Sequence, residues 1–174
     1  MKKLKFNDEV YHSLEPSFSL SEADIDYLIN KASLNERRRV RLCSHSSPND
    51  LVHEMFIIHK KGQYIRPHKH INKEESMIVL KGEVDYVCFD NSGKVIEVTR
   101  MGDLHSALPF YFNNKDGIFH TLIIRSEWLA FLEITKGPFN KRETLFPDWC
   151  PEESDGAGVD IYQAKVNKLI KEFK

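Results

Sequence analysis

A chain of 174 residues with 41% hydrophobic and 29% charged residues is long enough for one domain with its own core and too apolar to remain disordered. Its formal net charge of -1 and pI near 6.7 provide no global field to draw it onto a polyanion, so no nucleic-acid partner is expected. The opening segment Met1 to Phe6 is basic, but no apolar run follows it, and no later stretch approaches the ~18 apolar residues of a membrane span. No membrane partner and a cytoplasmic location are therefore expected. Cys43, Cys88 and Cys150 are odd in number, far apart and without a CxxC pair, which argues for reduced structural thiols over a disulfide framework or a thiolate zinc site.

Along the chain, Ser21 followed by Asp24 has the pattern of a helix start. Ile25, Leu28, Ile29 and Ala32 then recur at the spacing of one helical face, predicting an amphipathic helix over about 21–34. Arg37, Arg38, Arg39 and Arg41 form a basic cluster after it. From about 51 to 135 the pattern becomes short runs rich in Ile, Val, Phe and Tyr, broken by turn signals at Lys61-Gly62, Lys81-Gly82, Asp90 to Gly93 and Asn113 to Gly117. With no helices of 10–15 residues between them, these runs predict an antiparallel all-β core, a barrel or sandwich. A long connection from Gly137-Pro138 to about Gly158 is expected to wrap it. Tyr162, Val166, Leu169, Ile170 and Phe173 fall on one face of a closing amphipathic helix, expected to pack on the same core. The whole of 1–174 is read as one domain, with the wrap and final helix over about 136–174.

The segment Gly62 to Gly82 carries the chemistry. His68 and His70, two apart in an extended segment, project to the same side and can present two imidazoles to one ion. After a turn at Ile71 to Lys73, the apolar run Ser76 to Leu80 reads as the returning strand, with Glu74 or Glu75 at its start beside the histidines. His120, in the strand-like run Ile118 to Ile124 just after Gly117, can supply a third imidazole, with Ile118, Leu122 and Ile124 lining the same interior. Three imidazoles and one carboxylate suit a borderline first-row divalent metal, iron, manganese, nickel, cobalt or zinc, over calcium. His12, His45, His53, His59 and His105 lack ligand spacing and are read as surface or structural. Which residues hold the second nitrogens of the ligand histidines cannot be read from the spacing.

Gly62, five residues, His68-x-His70, four residues, Glu75, six residues and Gly82 resemble the first motif of the cupin family, in which Glu75 rather than Glu74 is the carboxylate. Gly117-x-x-His120 is similar to the second motif, departing from it at Lys115, where proline is usual, and at Ile124, where asparagine is usual. More of the chain resembles the WbuC family of cupin-fold metalloproteins. The segments that carry this likeness are Arg39-x-Arg41-x-x-x-His45, Tyr64-x-Arg66-Pro67-His68-x-His70 with Lys73 and Glu75, Gly117-x-x-His120-Thr121, and Glu133-x-x-Lys136-Gly137-Pro138-Phe139 running to Trp149-x-Pro151. Cys43 departs from the family, which tends to have asparagine there. The resemblance implies a cupin-type antiparallel β-barrel, or jelly roll, with a helix at each end. It also implies one divalent metal held by His68, His70, Glu75 and His120, a homodimer, and a place in bacterial O-antigen or other surface-polysaccharide biosynthesis.

Around that site, Arg39 and Arg41 lie on one side of an extended segment and suit the phosphates or carboxylate of a sugar or sugar nucleotide. The family likeness adds His45 to this set. Arg66 keeps the parity of His68 and His70 and is a candidate for binding or catalysis, the alternative being that Pro67 breaks the strand and turns it outward; Tyr64 shares that parity and is a candidate proton donor, or else a core aromatic. The function expected is that of a metal-dependent enzyme of isomerase or epimerase type acting on a sugar or sugar nucleotide. A non-enzymatic binding or sensory module and an iron-dependent dioxygenase are the alternatives.

Overall fold

In the computed structural model, which describes residues 3–17, 19–115 and 117–173, twelve strands and two α-helices are present. The first helix, α1 (Glu22–Leu34), begins where the Ser21 backbone and hydroxyl both donate to the Asp24 carboxylate, at 2.9 and 2.7 Å. Seven strands form one sheet in the order β1 (Lys3–Lys5), β2 (Val10–Ser13), β3 (Arg39–Cys43), β4 (Val52–Lys60), β11 (Trp128–Lys136), β6 (Glu75–Lys81) and β9 (Tyr111–Asn114). Three more, β10 (Phe119–Ile124), β7 (Glu83–Phe89) and β8 (Val95–Gly102), form a second sheet, and β5 (Lys69–His70) with β12 (Thr144–Leu145) makes a two-rung ladder.

Alternation along each strand divides the apolar residues between two faces. Cys43, Met55, Ile57, Met77, Val79 and Phe131 of the large sheet share a core with Val84, Tyr86, Met101, Leu122 and Ile124 of the small one, so the sheets face each other. On its other face the large sheet buries Val40, Leu42, Ile58 and Ala130 against Ile25, Leu28 and Ala32 of α1. The small sheet presents Val87, Phe89, Val95 and Phe119 to Val166 and Ile170 of the second helix, α2 (Gly156–Glu172). The expected final helix thus packs on its own β-core. Each fully buried Leu or Ile in these helix faces contributes roughly 1.5–3 kcal/mol.

Three expectations are corrected. Hydrogen bonding does not close a barrel: among the described residues no ladder joins β9 to the small sheet, and the fold is two facing sheets. The β-structure is not confined to about 51–135, because β1, β2 and β3 extend the large sheet on the far side of β4. The turn signal at Asn113 is displaced too, since Asn113 and Asn114 pair with Ser76 and Glu75 as the end of β9. Within the motif segment, β6 passes directly into β7 through Gly82, whose φ of +91 is reached cheaply only by glycine and whose missing Cβ leaves room for Ser126 Oγ and the Trp128 carbonyl.

All three cysteines are free and buried. No helix among the described residues is long and apolar enough to cross a membrane.

Candidate metal centre

Two backbone clamps assemble the site. His68 and His120 exchange amide hydrogen bonds at 3.1 and 2.9 Å, and the Gly117 amide donates to the His70 carbonyl, which fixes the HxH segment beside the start of β10. The first rung of β6 pairs Glu75 with Asn114, and the same residue faces Thr135 on β11, so the carboxylate enters from the large sheet. The result is that one donor atom from each of His68, His70, Glu75 and His120 lies within 4.8 Å of the others. Glu74 is exposed and outside the cluster.

The ring orientations are held from behind. Nδ1 of His68 donates to the Arg66 carbonyl at 2.9 Å, Nδ1 of His70 meets Thr144 Oγ1 at 3.2 Å, and Nδ1 of His120 lies 3.1 Å from the Ile118 carbonyl and 2.7 Å from the Asn114 amide. With Nδ1 engaged in all three rings, Nε2 is the atom left to a cation, and such outer partners set the tautomer and basicity of a ligating imidazole. Nε2 of His70 and of His120 lie 3.1 and 3.6 Å from the two Glu75 oxygens. Tyr86 stacks on the His120 ring at 5.2 Å and on Phe112 at 4.2 Å, walling the ring from the core side.

The residues fit a divalent cation. Glu75 is buried, and its Oε2 has only His70 Nε2 beside it, at 3.1 Å and without a well-formed hydrogen bond, an arrangement that would be costly without a positive charge beside it. Burial alone would raise the Glu75 carboxyl, but His120 and His70 hold it well below the usual carboxylate range, while burial and the neighbouring His120 push His68 down to about 3. At neutral pH the set is an ionised carboxylate among imidazoles, of which His68 is neutral, matching a borderline first-row ion.

Beside the cluster is a cavity of about 70 Å³ with walls of Ile57, Ile65, Met77, Leu122 and Phe131, into which His59, Tyr86 and Glu133 bring the polar groups. Tyr86 Oη and His59 Nδ1 are buried there without hydrogen-bond partners. Burial, and next the Glu75 charge, push the Glu133 carboxyl well above its usual range; burial, Arg39 and Arg37 push His59 down to about 3. The cavity therefore offers a neutral imidazole, a phenol hydroxyl and a carboxyl whose ionised form is disfavoured by burial.

The other expected site residues are distributed as follows. Arg39 and Arg41 line a cavity on the inner face of the large sheet. Tyr64 does not face the cluster: its hydroxyl donates to the Pro151 carbonyl at 2.9 Å, under Tyr162 and Cys150. Arg66 lies over the Phe146 ring at 4.8 Å, with Glu152 at 3.9 Å, and serves the site through its carbonyl. Both displacements have one cause, because residues 63–67 are not in a strand and the His68 alternation does not extend back through Pro67. His45 stacks on His53 at 4.0 Å, away from the cluster. Ile118 is partly exposed and outside β10, unlike Leu122 and Ile124.

Tyr86 and Asn114 were not singled out by the sequence reading, Glu133 entered it only as part of a family-like segment with no role given, and His59 was assigned to the surface or to structure. A period-2 signal did exist for Glu133: Leu129 and Phe131 precede it on β11, so the carboxylate takes an inward position in an apolar strand.

A family model described as a domain of unknown function (DUF6016) matches residues 20–101. No curated protein matches. Among solved structures, protein SO0799 from Shewanella oneidensis superposes with a TM-score of 0.56 at 15% identity, over 83% of this chain and 95% of that one. The capsular polysaccharide assembling protein CapF from Staphylococcus aureus superposes with a TM-score of 0.52 at 15% identity, over 66% of this chain and 33% of the CapF chain. At such identities the likeness shows a shared mainly-β fold and nothing of function.

Proposed function

We propose that this chain is a cupin-type metalloprotein, akin to the WbuC family, that binds one divalent first-row metal through His68, His70, Glu75 and His120 and interconverts isomers or epimers of a sugar or sugar nucleotide. The observation that carries the reading is the convergence of these four side chains, with the buried Glu75 carboxylate facing His70 and His120, at the wall of a cavity supplied with its own acid and hydroxyl groups. When bound there, the metal supplies Lewis-acid polarisation of a carbonyl or hydroxyl oxygen. The chain's own residues do the rest. Glu133, in the ionised form, takes a proton from the carbon beside the carbonyl and returns it as the acid, its raised value bringing it towards the working pH, while Tyr86 Oη and His59 Nδ1 bond the substrate oxygens that fill the cavity and the apolar walls exclude bulk water. A role in O-antigen or other surface-polysaccharide biosynthesis, on the WbuC resemblance, a homodimer, on the cupin resemblance, and a cytoplasmic location, on the absence of an apolar run after the basic start, complete the reading.

The test is elemental analysis of purified protein, wild type beside His70→Ala and Glu75→Gln, followed by incubation of the metal-loaded protein with sugar phosphates and sugar nucleotides in deuterated water. Near-stoichiometric metal lost in the variants, with deuterium incorporated at carbon, is the expected outcome. A wild type that takes up none of iron, manganese, nickel, cobalt or zinc would remove the reading. A second reading, a binding module without turnover, is favoured by the small volume beside the cluster and by the commitment of the Tyr64 hydroxyl elsewhere. Binding without deuterium incorporation would select it, and oxygen consumption by the iron form would select a dioxygenase.

A further inference from the structure

We propose that the uncovered inner face of β3 and β4 is an oxyanion subsite in which the Arg41 guanidinium, flanked by Arg39 and His59, receives a phosphate or carboxylate group of a ligand whose other end reaches the metal cavity. This rests on the metal-centred reading above for the far end of the ligand, and on its own geometry for the near end.

The strand register places the residues. Arg41 stands opposite Ile57 on β4 and Val10 on β2, and Arg39 stands opposite His59. Ile57 and Val10 belong to the core between the sheets, so Arg41 is on that inner face, in a row running from Val10 through Arg41 and Ile57 to Phe131 and Val79. A cavity of about 270 Å³ opens there, lined by Glu9, Val10, Arg39, Arg41, Ile57 and His59. Ile57 and His59 also line the cavity beside the metal cluster, so the two spaces adjoin across these side chains.

Charge within this wall is unbalanced at one point. Glu9 is bonded by Arg39 at 2.7 Å and approached by Arg37 at 3.6 Å. Arg41 has no carboxylate within 4.0 Å among the described residues, and its hydrogen bond is to the thioether of Met55 at 3.7 Å, a weak acceptor. Five guanidinium donors facing a cavity with so little to bond are suited to a two-pronged oxyanion. His59, kept neutral by burial and the nearby arginines, has an unpartnered buried Nδ1 between the two spaces and can bond the ligand where it crosses.

The probe is inorganic phosphate, titrated calorimetrically into metal-depleted protein: wild type, Arg41→Gln, Arg41→Lys, His70→Ala and the surface variant Arg142→Gln. Phosphate should bind wild type, His70→Ala and Arg142→Gln alike, bind Arg41→Gln roughly tenfold to a hundredfold more weakly, and bind Arg41→Lys at an intermediate level. Equal binding to wild type and Arg41→Gln, or none at millimolar phosphate, overturns the subsite. Phosphate that binds only after metal is restored, and regardless of Arg41, also overturns it while leaving the metal reading intact. Arg41-dependent phosphate binding by a protein that holds no metal under any loading supports the subsite and removes the metal reading instead.

Discussion

The Asn114 side-chain amide lies 2.7 Å from His120 Nδ1, and both side chains are buried at the joint between the two sheets. In the tautomer with the proton on Nε2, Nδ1 accepts from the amide nitrogen. Giving Nε2 to a cation moves the proton to Nδ1, where the Ile118 carbonyl at 3.1 Å accepts it, and the Asn114 side chain must turn its amide oxygen, which has no partner, towards the ring in place of the nitrogen to accept as well. Asn114→Leu keeps the approximate volume and removes one of these acceptors. Metal affinity, measured by competition with a chromophoric chelator, should fall about tenfold, the low end for such outer partners because Ile118 remains. Unchanged affinity would show that the Ile118 carbonyl suffices.

Metal occupancy should also be visible in stability. A ligand at a hundred times its Kd stabilises the folded state by about 2.7 kcal/mol, which for a domain of this size is roughly 5 to 10 °C in Tm. Chelation should lower the melting temperature of wild type by that order and leave His68→Ala unaffected. Equal chelator sensitivity in both would place the stabilising ion elsewhere.

Much of this site is legible in the sequence because it is local. His68 and His70 are two apart in an extended segment, and Glu75 and Gly82 follow at fixed intervals along one turn and one strand, so alternation and spacing alone bring them together. The parts that resisted reading depend on register between distant strands. That Arg41 stands beside Ile57, that Glu133 stands beside Met77, and that Asn114 backs His120 are facts of pairing, which no local pattern states. Tyr64 and Arg66 are different in kind, since Pro67 leaves 63–67 outside any strand, and of the two readings open for Arg66 the outward one is found. Open facing sheets in place of a closed barrel likewise depend on which edges pair.

Glu133 offers a direct test of proton transfer. Glu133→Gln preserves shape and hydrogen-bonding reach but cannot carry the proton. Deuterium exchange at the substrate carbon should fall roughly a hundredfold to ten-thousandfold while metal content and ligand binding stay within about threefold. Because burial disfavours the ionised carboxyl, the variant should be at least as thermally stable as wild type at pH 7. An exchange rate unaffected by this change would move the acid/base role to His59 or Tyr86, which also bring titratable groups into the cavity.

The pH dependence of stability follows from His59, whose folded-state value is pushed down to about 3 by burial and by Arg39 and Arg37. An unfolded histidine titrates near 6.5, so between about pH 6.5 and 3 the unfolded chain holds a proton at this position that the folded chain does not. Stability must then rise with pH in that window and lose its dependence on His59 above it. Replacing the ring with His59→Phe, which retains contact with the Phe131 ring now stacked at 6.0 Å, removes the proton uptake. The slope of unfolding free energy against pH below 6.5 should become shallower by up to about 1.4 kcal/mol per pH unit, measured by denaturant titration of metal-depleted protein at pH 4.5 to 7.5. An unaltered slope would mean that His59 titrates in the folded chain as it does in the unfolded one, and hence that the wall it gives to both cavities carries a charge below about pH 6.5.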